Sequence, residues 1–153
     1  MKTGVRKQIG AVLFVILLFL SSCASTHKTQ TELGDAEAYY NRGNAYWDKG
    51  QLDQAILDYN RALELNPGYA EAYNNRGVAY RNKGQYDQAI LDYNKAFEIN
   101  PRFAEVYYIR AVTYYHKKDY GKSWEDVHLA QSLGYKVLDK FLDALRKASG
   151  REN

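Results

Sequence analysis

The chain has 153 residues, 46% of them hydrophobic and 25% charged, which suits one small globular domain and leaves no room for two. The formal charge of +3 misleads, because Lys2, Arg6 and Lys7 lie in an N-terminal stretch expected to be removed; taking those three from 21 cations leaves 18 against 18 anions. The remaining charges are interspersed, with no basic stripe to neutralise phosphates, and this argues against nucleic acid as a partner.

At the N-terminus, Lys2, Arg6 and Lys7 precede an apolar run from Ile9 to Leu20, broken only by the small Gly10 and Ala11. A basic flank followed by about a dozen apolar residues is the layout of an export signal, and the run is shorter than the roughly 20 residues of a comfortable membrane span. Leu20-Ser21-Ser22-Cys23 then resembles the lipobox of bacterial lipoproteins. The resemblance implies a signal peptide over residues 1–22, cleavage before Cys23, a diacylglyceryl thioether on its thiol, and a fatty acyl group such as palmitate on the new amino group. Cys23 is the chain's single cysteine, so an internal disulfide is impossible. Two or more acyl chains hold a protein stably on a membrane where one does not. The next residue is Ala24 and not the Asp that favours inner-membrane retention in such families. This implies a place in the bacterial envelope, on the outer membrane facing the periplasm, or on the extracytoplasmic face if there is one membrane. The rest of residues 23–35 is polar and without apolar periodicity, and reads as a flexible tether holding the domain roughly 20 Å from the bilayer.

From Ala36 the sequence repeats. Residues 36–69 align without gaps to 70–103 with 24 identities in 34 positions, and residues 104–137 match the second unit at 10. Each unit carries apolar and aromatic residues at helical spacing in two runs. Lys49-Gly50-Gln51 and Lys83-Gly84-Gln85 break the runs where Gly can end a helix in the left-handed conformation. Asp53 and Asp87 stand where a side-chain oxygen can cap the second helix, and Asn66-Pro67 and Asn100-Pro101 stop it. Gly43, Gly77 and Ala111 are the small residues expected where the two helices meet, with Ala55, Ala89 and Ser123 facing them. Ala62, Ala96 and Ala130 are expected to face the next unit. Tyr39, Tyr46, Tyr59, Tyr73, Tyr80 and Tyr93 are read as core. A period of 34 with this pattern resembles the tetratricopeptide repeat. The resemblance implies an all-α solenoid of three helix–turn–helix units. The family pattern often has Leu where this chain has Arg42, Arg76 and Arg110, and an aromatic where it has Val127; the third unit also lacks the turn Gly and the closing Pro. After Gly134, Leu138, Phe141, Leu142 and Leu145 follow i, i+3, i+4, i+7 spacing, which predicts a capping helix over 138–148 that completes a domain of residues 36–148, with a tail at 149–153.

Stacked units of this family form a superhelix whose concave face, built from the first helix of each unit, binds peptides or helices. Carried across, the inward positions are Glu37, Tyr40, Asn44, Trp47 and Asp48; Glu71, Asn74, Val78, Arg81 and Asn82; and Glu105, Tyr108, Val112, Tyr115 and His116. The expected partner groove consists of Tyr40, Asn44, Trp47, Asn74, Val78, Arg81, Tyr108, Val112 and Tyr115, in which the aromatics have the character of binding hot spots. Some members clamp a C-terminal carboxylate with two Asn and several basic residues. Asn44 and Asn75 match, but the basic positions hold Tyr40, Glu105 and Ile109.

No catalytic or metal-ligand motif is present: there is no HExxH, CxxC or phosphate loop, and Glu125-Asp126 are adjacent on a helix and do not face each other. The chain is read as a non-enzyme without cofactor, metal or small-molecule substrate. It is expected to be a membrane-anchored adaptor for a protein or peptide partner, as in envelope, pilus or secretion assembly. The competing reading is a factor that binds or cleaves peptidoglycan; loss of a protein partner in Trp47→Ala and Tyr108→Ala separates the two, since the competitor predicts altered muropeptides instead.

Overall fold

A computed structural model of the protein describes residues 31–151. The signal peptide, Cys23, the tether up to residue 30 and the last two residues of the tail lie outside the described residues. Seven helices and no strands are found among the described residues: α1 (31–48), α2 (Leu52–Leu65), α3 (Ala70–Asn82), α4 (Tyr86–Ile99), α5 (Ala104–His116), α6 (Tyr120–Ser132) and α7 (Asp139–Ser149). Each helix from α2 onward packs on its successor, and α3 also touches α5, so the first helices of successive units lie side by side. Residues 31–35, expected to belong to the tether, are helical. These residues, with Leu33 alone among them a large apolar side chain, extend α1 by more than a turn ahead of the repeat, where they face mostly solvent and leave no apolar periodicity to read.

The turns follow from the chain. Gly50 and Gly84 take φ of +71° and +74°, and Gln51 N–H and Gln85 N–H reach back to the Tyr46 and Tyr80 carbonyls at 2.9 Å. The third unit closes the same turn on Lys118 at φ +62°, a residue with a Cβ, at a cost on the order of 1 kcal/mol. Asn66 is extended before Pro67, and its side-chain oxygen accepts from Gly68 N–H at 3.1 Å, so the chain leaves α2 in a defined turn. Asp53 and Asp87 do not cap their helices: the N-cap positions are Gln51 and Gln85, without side-chain caps. The two carboxylates instead take the ammonium groups of Lys83 and Lys117 from the next unit. Asp119 is a true cap and accepts from Lys122 N–H at 3.3 Å.

Two devices lock each helix pair. A Cβ built on Gly43 would lie 2.7 Å from Tyr59 Cε1, and one on Gly77 2.6 Å from Tyr93 Cε1, so a glycine admits each buried ring. In the third unit the same places hold Ala111 and Val127, both fully buried: the ring is gone and the methyl returns. The second device is a bidentate ion pair. Arg42 grips Asp58 at 2.6 and 2.7 Å, Arg76 grips Asp92 at 2.8 and 2.6 Å, and Arg110 grips Asp126 at 2.8 and 2.7 Å. Arg76 and Arg110 also donate to Asn60 and Asn94 of the preceding unit, tying the repeats together. This accounts for Arg where the family pattern often has Leu. It also separates Asp126 from the exposed Glu125 beside it, because the Asp126 side chain is buried beneath Arg110. Burial pushes the Asp92 and Asp126 carboxyls up, and the facing guanidinium opposes that rise.

Helix α7 covers the last unit as a cap. Leu142 and Leu145 join Ala111, Val127, Ala130 and Val137 in one core cluster, with Phe141 packed against it. Leu138 is exposed, because it forms the N-cap just outside the helix.

Candidate functional site

The aligned first helices leave a concave groove with a cavity of about 430 Å³. Helix α1 contributes Asn44, Trp47 and Asp48, α3 contributes Asn74, Asn75, Val78 and Arg81, and α5 contributes Glu105 and Ile109, while Tyr59 reaches in from α2 behind them. Trp47 is 39% exposed, a large apolar surface at the edge of a concavity.

A chain of amide hydrogen bonds runs along the groove. Tyr59 hydroxyl donates to Asn44 Oδ1 at 2.8 Å, and Asn75 Nδ2 donates to the same oxygen at 2.9 Å and to Tyr40 hydroxyl at 3.0 Å. Asn74 Nδ2 donates to Asn75 Oδ1 at 3.0 Å. Asn74 Oδ1 is left without a partner although the residue is only 8% exposed. Tyr40 is held by the Tyr69 ring at 4.8 Å and by the Tyr59 ring at 6.0 Å. Burial pushes the Tyr59 phenol well above its ordinary value, so it stays a neutral donor to Asn44.

In the second unit the counterpart of Asn44 is Val78. Tyr93 therefore loses the acceptor that Tyr59 has, and its buried hydroxyl makes no hydrogen bond. Thr113 beside it donates instead to the Ile109 carbonyl at 2.9 Å. Burial lifts the Tyr93 phenol to about 12.

The tetratricopeptide repeat family pattern matches residues 36–69 and 70–103. The fold is a tetratricopeptide-repeat solenoid. Three solved structures show the same architecture. The chain is 28% identical to the TPR2B domain of yeast Sti1, solved in complex with pHsp70, covering 77% of this chain and 98% of that one with a TM-score of 0.68. The TPR domain of Arabidopsis OM64 is 26% identical over 76% of this chain and 98% of its own, with a TM-score of 0.72. MamA is 32% identical over 65% of this chain, with a TM-score of 0.64, and the chain spans 58% of the MamA chain. No curated protein matches the sequence.

Of the residues expected in the tetratricopeptide groove, Asn44, Trp47, Asn74, Val78 and Arg81 line the cavity together. Tyr40 joins them through its hydrogen bond with Asn75. The third repeat presents Glu105 and Ile109 to the cavity, and Tyr108, Val112 and Tyr115 do not line it. Tyr108 packs between Tyr135 at 5.2 Å and Phe141 at 5.6 Å, and Tyr115 packs on Phe141 at 5.7 Å, because the capping helix supplies Phe141 to that face. Tyr59 and Ile109 were not expected at the site. The signal for Tyr59 is Asn44, a polar side chain at an inward position where the other repeats have Val; the signal for Ile109 is Asn75, one repeat earlier at the same place.

Comparison of the two near-identical repeats locates the groove independently. Residues 36–48 and 70–82 differ at only four positions: Tyr40/Asn74, Asn44/Val78, Trp47/Arg81 and Asp48/Asn82. Six of these eight residues line the cavity. The contact glycine, the buried ring and the Arg–Asp pair are the same in both repeats, and most of the variation in the first helix falls on the concave face.

Proposed function

We propose that the protein is a lipid-anchored scaffold of the bacterial envelope that holds a protein partner through an extended segment seated in the concave groove. The observation that carries this reading is that six of the eight residues at which the first helices of the two repeats differ line the cavity. A surface that only closed the solenoid would have no reason to differ there. An exposed Trp beside convergent amides and charges also has the composition of an interface hot spot. The yeast Sti1 domain solved in complex with pHsp70 is a precedent for partner binding on this fold.

The anchor rests on the sequence. The apolar run, Leu20-Ser21-Ser22-Cys23 and the single cysteine support diacylglyceryl attachment at Cys23, with Ala24 supporting the outer membrane. No helix among the described residues is long and apolar enough to cross a membrane. Tethering concentrates the partner at the bilayer without any new contact, which suits the assembly of an envelope, pilus or secretion machine. Two measurements test the reading in the native cell. An alkynyl fatty acid labels the chain, and Cys23→Ser loses the label and leaves the membrane fraction. A photo-crosslinker replacing Trp47 captures a protein that one replacing the exposed Leu91 on α4 does not. Labelling that survives Cys23→Ser, or equal capture at both positions, contradicts it.

A further inference from the structure

The amide chain in the groove has a direction. Asn75 Nδ2 is committed to Asn44 and Tyr40, so Asn75 turns its oxygen towards Asn74. Asn74 meets that oxygen with its Nδ2, which leaves its own Oδ1 unpartnered and closed off from solvent within a residue of the cavity wall. A buried carbonyl left without a donor costs about 1–3 kcal/mol, and a ligand N–H that reaches it once the side chains over it move aside removes that cost. A ligand for this oxygen must therefore be a donor.

The charges around it favour the same ligand. Asp48 and Glu105 line the cavity from α1 and α5, both are exposed, and neither takes part in an ion pair among the described residues, although most acidic side chains of α2, α4 and α6 are paired. Among the described residues Arg81 is the one cation lining the cavity, so carboxylates outnumber it there. The Trp47 ring adds an aromatic face, which attracts cations.

We propose that the groove takes a Lys or Arg side chain of an extended peptide, seated between Asp48 and Glu105 beside Trp47 and donating to Asn74 Oδ1. Arg81 then faces the peptide's backbone carbonyls, which suit a guanidinium donor. The partner is accordingly a basic segment, not an acidic tail. This inference rests on the groove being the partner site, and the test separates the two claims.

The full chain, purified in detergent and immobilised, selects peptides from a random nonapeptide library. The expected pool is enriched in Lys and Arg and depleted in Asp and Glu. A labelled peptide from that pool binds about tenfold more weakly to Asp48→Asn/Glu105→Gln, in which two exposed carboxylates become neutral amides of the same shape. Glu105→Lys shifts the selected pool towards acidic residues. Thermal unfolding of each variant matches that of the parent, so a folding defect cannot imitate the result. A pool that depends on Trp47 but is neutral or acidic overturns the basic-segment inference and leaves the groove reading standing. A pool whose binding is unchanged in Trp47→Ala, or no enriched pool at all, overturns both.

Discussion

Tyr59 and Tyr93 occupy the same place in two repeats, each ring seated on a glycine, yet their hydroxyls meet different surroundings. Tyr59 donates to Asn44, while Tyr93 faces Val78 and its hydroxyl makes no hydrogen bond, although the Thr113 side chain lies beside it. The third repeat drops the ring altogether and restores the methyl as Ala111 over Val127. The helix pair is thus a fixed solution that can be filled in more than one way, while the residue one position beyond the contact glycine follows the groove. Asn44 serves the concave face even though the neighbouring repeat's phenol is left unsatisfied where Val replaces it.

The comparison can be broken at several depths. The largest effect is expected from Arg76→Leu, which strands the buried Asp92 carboxylate and cuts the tie to Asn60; chemical denaturation should show a loss of about 3 kcal/mol. Arg42→Leu should cost less, because the Arg42 side chain is 58% exposed against 19% for Arg76, and water screens the first pair. Next comes Gly77→Ala, which drives a methyl into the Tyr93 ring and should cost about 1–3 kcal/mol. Adding Tyr93→Val rebuilds the Ala–Val pairing of the third repeat. A double-mutant cycle should then return a favourable coupling of about 1 kcal/mol or more; a coupling near zero would mean that the glycine is not there for the ring.

Smaller effects sharpen the contrast between the two tyrosines. Tyr59→Phe removes a donor from Asn44 and should cost about 1 kcal/mol, whereas Tyr93→Phe removes an orphaned hydroxyl and should be neutral or stabilising. Equal losses in urea titrations would contradict the difference drawn between Asn44 and Val78. The smallest signal is alkaline. The Tyr93 phenol is lifted from 10.0 to about 12, so the fold keeps a proton that the unfolded chain releases. Its contribution to stability is complete below pH 10 and is lost as pH rises towards 12. The Tyr59 phenol, also raised, adds to the same fall. Unfolding midpoints measured across that range should decline less steeply in Tyr93→Phe than in the parent.

Much of the architecture was legible in the chain because it rests on short-range chemistry. The repeat period, the left-handed glycines, the stops at Asn66-Pro67 and Asn100-Pro101 and the capping helix all follow from local preference and spacing. The start of α1 was not legible, since residues 31–35 carry no apolar pattern. Nor were the partners of polar residues that meet across the fold. Asp53 and Asp87 have the composition of caps, and only the stacking of the units brings Lys83 and Lys117 to them. Arg110 and Asp126 are among the 10 residues that the third repeat shares with the second, a hint that they work together. In the groove, the contributions of α1 and α3 could be read by register, because those helices are near copies. On α5 the register gave Glu105, which lines the cavity, but it misplaced Tyr108 and Tyr115, because Phe141 arrives from outside the repeat and engages them.

The central claim is that scaffold and groove are separable, and one experiment addresses it directly. Val78→Asn with Arg81→Trp, made together in the full chain, writes first-repeat groove residues into the second repeat while leaving every glycine, ring and ion pair in place. Thermal unfolding and capture by a crosslinker at Trp47 are then measured on the same variant in the native cell. The account predicts an unchanged or higher melting temperature, since the amide introduced by Val78→Asn can accept from the Tyr93 hydroxyl, together with loss of the captured partner. A collapse in stability, or capture as efficient as in the parent, would contradict it.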